Sequence, residues 1–100
     1  MKGTGISAKV RRIVLERDGE KYGAPCCIFC GSPHGLQIMH YIPRSQGGRG
    51  IPENLACGCV KCHGELDNGK DPEKKRQYFR EYLKEQYPGW NESELKVRKE

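Results

Sequence analysis

No stretch of this 100-residue chain is long and apolar enough to span a bilayer, which excludes a helical membrane protein. The first residues, Met1-Lys2-Gly3-Thr4-Gly5, show no apolar run behind their basic residue, so no secretory leader is expected. That points to a reducing, cytoplasmic setting. No internal repeat and no low-complexity tract interrupts the chain. Apolar residues are also scarce, at 35% of the sequence, and mean hydropathy is −0.84. A core built from so little needs help. In a reducing compartment the six cysteines read as metal ligands before they read as disulfides. A structural metal contributes folding free energy directly and suits a domain of this size.

The balance of charge is basic, with 18 Lys+Arg against 13 Asp+Glu, a formal charge of +5 and a pI of about 8.9. Such a balance suits a polyanionic partner, although solubility alone accounts for it in many proteins. The length fits one domain, residues 1–100. A helix is expected over about 6–18, with Ile6, Val10, Ile13 and Val14 on one stripe and Lys9, Arg11, Arg12 and Arg17 elsewhere. Gly19 would stop it, and 20–26 reads as a loop. Leu36 to Ile42 reads as a short strand, and Pro43 to Gly50 as a flexible loop with Arg44 and Arg49 at its rim. A helix is expected to start at Asn54 and run to Asp67, ended by Asn68-Gly69. A last long helix, about 72–87, is announced by Asp71 as N-cap and Pro72 at the first helical position. Its apolar face would hold Tyr78, Phe79, Tyr82 and Leu83, and Pro88-Gly89 would end it. Trp90 is expected to pack back, with a short turn from Asn91 to Val97.

Two Cys-x-x-Cys pairs, Cys27–Cys30 and Cys59–Cys62, carry the strongest signal. Tetrahedral zinc takes four thiolates at about 2.3 Å, and each pair forms a knuckle that presents two of them. A redox motif would need one pair, placed before a helix. Cys26 and Cys57 sit at poorer spacings: Cys57 reads as a buried free thiol, Cys26 as a bystander. His63 follows Cys62 directly, and His40 lies at the end of the expected strand. A neutral imidazole can deprotonate water near pH 7.

The combined pattern, CIFCG … LQIMHYIPRSQGG … ENLACGCVKCH, resembles the HNH nuclease family with its ββα-metal (His-Me) finger. The likeness spans residues 27 to about 67. It implies an α+β fold: a small zinc-stapled ββα-metal core flanked by N-terminal and C-terminal helices. It implies a metal-dependent endonuclease hydrolysing DNA phosphodiester bonds, with His40 as general base. Asn54 matches the residue that tethers the base-carrying loop or helps bind the metal, and His63 matches a ligand of a catalytic divalent ion, Mg²⁺, Mn²⁺ or Ni²⁺. Double-stranded DNA is the implied partner, contacted by Arg44, Arg49 and Lys61, with Lys70 also nearby. A phage terminase or another DNA-processing protein, in a bacterial or phage-infected cell, is the implied setting. The family often places Asp or His before the base as a metal ligand. This chain has Met39, and a thioether suits a hard cation poorly. Asp67, at i+4 from His63, would share its helix face and complete the site, the alternative being a solvated helix end; Glu65 points elsewhere. Lys74, Lys75, Arg76 and Arg80 alternate with glutamates and read as an exposed face. The competing expectation is a catalytically weak or inactive zinc-finger-like nucleic-acid-binding module, and a redox or metal-storage protein is a distant third.

Overall fold

The computed structural model describes residues 5–68 and 72–96. In chain order it contains α1 (Ala8–Gly19), β1 (Leu36–His40), β2 (Leu55–Cys59), α2 (Val60–Asn68) and α3 (Pro72–Gln86). Single 3-10 turns occupy Arg44–Gln46, Pro52–Asn54 and Glu92–Leu95. The fold is α+β, as expected from the sequence. Gly69, Lys70, Asp71 and Val97, to which caps, charge or a last turn were ascribed, lie outside the described residues, as does the side chain of Asp67. Among the described residues no helix is long and apolar enough to cross a membrane.

α1 starts where Ser7 accepts a hydrogen bond from the Val10 amide at 3.1 Å, satisfying one of the helix's unpaired donors. It ends at Gly19, where only glycine fits: a Cβ there would lie 2.5 Å from the backbone of Ala24 and Pro25. Val14 is buried, with Ile6, Val10 and Leu15 around it. Ile13, expected on this stripe, is instead 40% exposed.

β1 and β2 pair antiparallel, from Leu36 opposite Cys59 to His40 opposite Leu55. The strand read from 36 to 42 ends two residues sooner. The helix read from Asn54 to Asp67 is the larger correction: its first part is β2, and only Val60–Asn68 is helical. All five β2 residues are buried, because the sheet is covered on both faces. Leu55 and Cys57 face α1 with Ile38, while Ala56 packs with Met39, Leu66, Phe79 and Leu83 on the other side. A strand buried on both faces shows no alternation, so its spacing of Leu55, Cys59, Cys62 and Leu66 imitates a helix. Gly58 has a packing role: a Cβ there would lie 2.3 Å from the Met39 sulfur.

The thin apolar core is supplemented by an ion pair between Asp18 and Arg17, a residue expected off the apolar stripe. Arg17 Nε lies 2.6 Å from Asp18 Oδ1, with side chains 9% and 0% exposed. Arg17 also donates to the carbonyls of Pro52 at 2.8 Å and Leu55 at 2.6 Å, and to the Tyr87 hydroxyl at 3.1 Å. Asp18 accepts the Cys57 amide at 2.7 Å and the Tyr82 hydroxyl. Burial alone would lower the Arg17 pKa; the bond and charge of Asp18, with Tyr87, more than offset it and hold the guanidinium ionised. The pair thus locks α1 onto β2 and α3.

α3 buries Phe79 and Leu83 and half-buries Tyr82. Tyr78 departs from the expected face and is 52% exposed, its ring 5.5 Å from that of Phe29. The basic residues of α3 are not merely solvated. Arg76 donates to the Tyr41 carbonyl at 2.6 Å and lies over its ring, while Lys75 lies 3.3 Å from Glu65 and over Phe29. After Gly89, at φ +83°, the chain returns; Trp90 donates to the Glu53 carbonyl at 2.8 Å and Leu95 enters the core. The 43–50 loop, expected to be flexible, is held from two sides. Arg49 N–H bonds Leu95 O at 2.7 Å, Gly48 pairs with Lys96, and Asn54 reaches in from below.

Candidate active site

Two backbone turns bring four thiols together. Around the first, Gly31 N–H bonds Cys27 O at 2.9 Å with Gly31 at φ +79°, and the Phe29 amide approaches the Cys27 sulfur at 3.4 Å. The second is made where β2 runs into α2, and there the Cys62 amide approaches the Cys59 sulfur at 3.4 Å. The sulfurs of Cys27, Cys30, Cys59 and Cys62 all lie within 4.8 Å of one another. Cys30 and Cys59 are 3.7 Å apart, close to the about 3.8 Å edge of a tetrahedron with Zn–S bonds of about 2.3 Å. Thiols this close do not titrate independently. The Cys62 amide first of all pulls Cys59 down to about 7, while burial pushes Cys62 up. The donor set fits a structural zinc, whose charge would replace the thiol protons. Cys26 lies apart, its thiol 3.6 Å from the Asp18 carbonyl. Cys57 lies under α1, where burial and then Asp18 push it up to about 12.

Beside this cluster His40 and His63 line one open cleft of about 590 Å³, together with Gln37, Pro43, Arg44 and Arg11. A larger hollow of about 700 Å³ lies against Cys27–Cys30 and α3, but no histidine lines it. The strand parity explains the histidine cleft. His40 shares a face with Ile38, the α1 side, whereas Gln37 shares a face with Met39, the side of α2. The cleft therefore wraps around the open edge of β1. His63 occupies the first turn of α2, its backbone fixed by the adjacent Cys62, and its Nδ1 lies 2.6 Å from Gln37 Oε1.

Asn54 is fully buried. Its Oδ1 accepts from Ile42 N–H at 2.8 Å, and its Nδ2 donates to Ile42 O at 3.2 Å and Arg49 O at 2.9 Å. Its carbonyl accepts from Tyr41 N–H at 2.8 Å. It closes a 3-10 turn and leads into β2, so it caps no helix. The carboxamide straps down the chain just after His40 and is committed to backbone, a geometry suited to tethering rather than to metal ligation.

Several expected participants lie elsewhere. Met39, before His40, is wholly buried among Phe79, Leu83 and Ala56, so this position points away from the cleft. Arg49 turns toward the C-terminal segment, Nη1 3.4 Å from Glu94 O, and lines a separate hollow with Trp90. Lys61 is exposed on the first turn of α2 and is not part of the cleft lining. Asp67 falls one turn beyond His63 in α2. Two cleft residues escaped the sequence reading. Gln37 meets a partner 26 positions away, and Arg11 reads only as one of several cations on the polar side of a helix.

A family model described as HNH endonuclease matches residues 27–79, just over half of the chain. No curated protein matches it. Among solved structures, the Type IV phosphorothioation-dependent restriction endonuclease ScoMcrA is similar, with a TM-score of 0.58 and 21% identity. The likeness covers 80% of this chain but only 16% of that one, so it speaks for a shared fold and leaves most of that protein without a counterpart. The matched segment holds both cysteine pairs, the strand pair and both histidines of the cleft, and on that match the chain belongs to the HNH endonuclease family.

Proposed function

We propose that this chain is a metal-dependent endonuclease that hydrolyses phosphodiester bonds of double-stranded DNA. The observation that carries this reading is the meeting in one cleft of His40, His63 and Arg44, all three from the family-matched segment. In this reading His40 accepts the proton of the attacking water. Asn54 keeps the chain after His40 in place through its three side-chain bonds. Arg44, from the turn after β1, and Arg11, from α1, contact the phosphates on either side of the scissile bond and carry no base preference. His63 supplies a nitrogen to a divalent cation, Mg²⁺, Mn²⁺ or Ni²⁺, with Asp67 one helical turn on as the second ligand. When bound, such a cation stabilises charge on the scissile phosphate and on the leaving oxygen. The four thiols hold zinc for structure only.

The test is nicking of supercoiled plasmid with each of the three cations, against a His40→Ala control. His40→Ala should cost roughly 10²–10⁴ in rate while leaving cation affinity intact, as expected for a lost general base. His63→Ala should raise the cation concentration needed for half-maximal rate. Absence of cleavage above the control with all three cations and at low salt would overturn the nuclease reading. It would favour a non-catalytic DNA-binding module, the second reading, which draws its support from Met39 standing in the core where relatives often carry a ligand.

A further inference from the structure

We infer that Gln37 is a positioning residue for the divalent-cation site: its amide oxygen fixes the Nδ1–H tautomer of His63 and leaves Nε2 as the lone-pair nitrogen. The inference rests on His63 being a ligand in the reading above, and it assigns a role to a residue outside the histidine, asparagine and cysteine pattern.

A neutral imidazole has one N–H and one lone pair, and only the lone pair can bind a cation. Which nitrogen keeps the proton is decided by the partner of the other. Gln37 Oε1 stands 2.6 Å from His63 Nδ1, and a carbonyl oxygen can only accept. The proton therefore belongs on Nδ1. A histidine ligand ordinarily donates its second N–H in this way, and loss of such an outer partner commonly costs about 10–100-fold in metal affinity.

The surroundings place both partners. Gln37 is opposite Gly58 in the register, so no cross-strand side chain competes for its amide. Gly58 itself is required because Met39 fills the space a Cβ would need. His63 is held at its backbone by Cys62, a member of the thiol cluster, and at its ring by Gln37. The knuckle thus places the His63 backbone and the strand orients its ring through Gln37, which limits the rotamers left to lose when a cation binds.

The experiment uses the full zinc-loaded chain, labelled with ¹⁵N, and reads ring tautomers by long-range proton–nitrogen correlation at about pH 8, above the ordinary imidazole range. His63→Ala assigns the signals among the three histidines. Wild type should show His63 as Nδ1–H. Gln37→Leu, which removes the acceptor from an exposed position, should shift it toward Nε2–H. Gln37→Glu, which keeps an acceptor oxygen, should retain Nδ1–H. Calorimetric titration with Mn²⁺, a cation that will not compete for thiolates, should show a dissociation constant about 10–100-fold higher in Gln37→Leu, and recovery in Gln37→Glu. An Nε2–H tautomer in wild type overturns the inference. So does a Gln37→Leu variant with unchanged tautomer and Mn²⁺ affinity while His63→Ala binds Mn²⁺ more weakly, and in that case the nuclease reading stands. Unchanged Mn²⁺ affinity in His63→Ala removes the ligand role itself and the inference with it.

Discussion

Tyr82 gives its phenolic hydrogen to Asp18, beside the Arg17 guanidinium. Burial first, and then the bond to Asp18 and its charge, raise the Tyr82 pKa above its ordinary value of 10.0. The unfolded chain then releases this proton at lower pH than the folded one. Between the two pKa values unfolding releases a proton, so stability is intact below about pH 10 and falls as pH rises above it. Urea midpoints measured from pH 8 upward should show this decline, and Tyr82→Phe should flatten it. An equal slope in the variant would show that other groups, Cys57 among them, set the alkaline limit. Single residues were legible in the sequence where chemistry demands a residue type at a spacing. The Cys-x-x-Cys pairs announce themselves because thiolate geometry fixes their separation, and His63 is marked by its place next to Cys62. Arg17 and Gln37 were not legible. Beyond the adjacent Arg17–Asp18 pair, each acts through partners 26 or more positions away, and no local pattern encodes those distances.

Among the elements, β2 is the one the sequence disguised, since Leu-Ala-Cys-Gly-Cys carries little strand propensity and lies between two covering layers. What makes it a strand is tertiary: Cys59 is held in the thiol cluster at one end, and at the other Arg17 bonds the Leu55 carbonyl. Both anchors can be tested. Cys27→Ser should abolish zinc binding and cooperative melting, whereas Cys26→Ser should keep both, with zinc content read by elemental analysis and melting by circular dichroism. A zinc-free chain that still melts cooperatively would rule out the structural metal. Asp18→Asn leaves the Arg17 guanidinium nearly buried without its charge partner, which costs about 3–5 kcal/mol, a large share of the stability of so small a domain. Denaturant titration should show that loss with zinc content unchanged while the chain remains folded. A loss below about 1 kcal/mol, the scale of an exposed pair, would mean that water reaches the pair.

At the scale of the whole molecule, the proposed function requires one surface to meet DNA. The net charge of +5 is too small to decide it. Position decides instead. Arg11 and Arg44 line the cleft that holds both histidines, although they come from α1 and from the turn after β1. Arg11 also precedes the family-matched segment, which starts at residue 27, so α1 would extend the DNA path beyond the common core. Arg49 faces the C-terminal turn and should be silent. Each phosphate contact releases a counterion, so the slope of log affinity against log salt should fall by about 0.9 per contact removed. In a His40→Ala background without added divalent cation, fluorescence anisotropy on a short duplex should show Arg11→Ala and Arg44→Ala each weakening binding and each reducing the slope by roughly 1. Arg49→Ala should leave both affinity and slope near the parent values. If Arg49→Ala instead matches Arg44→Ala while Arg11→Ala has no effect, the duplex runs toward Trp90 and the C-terminal turn, and α1 contributes to the fold and not to the substrate path.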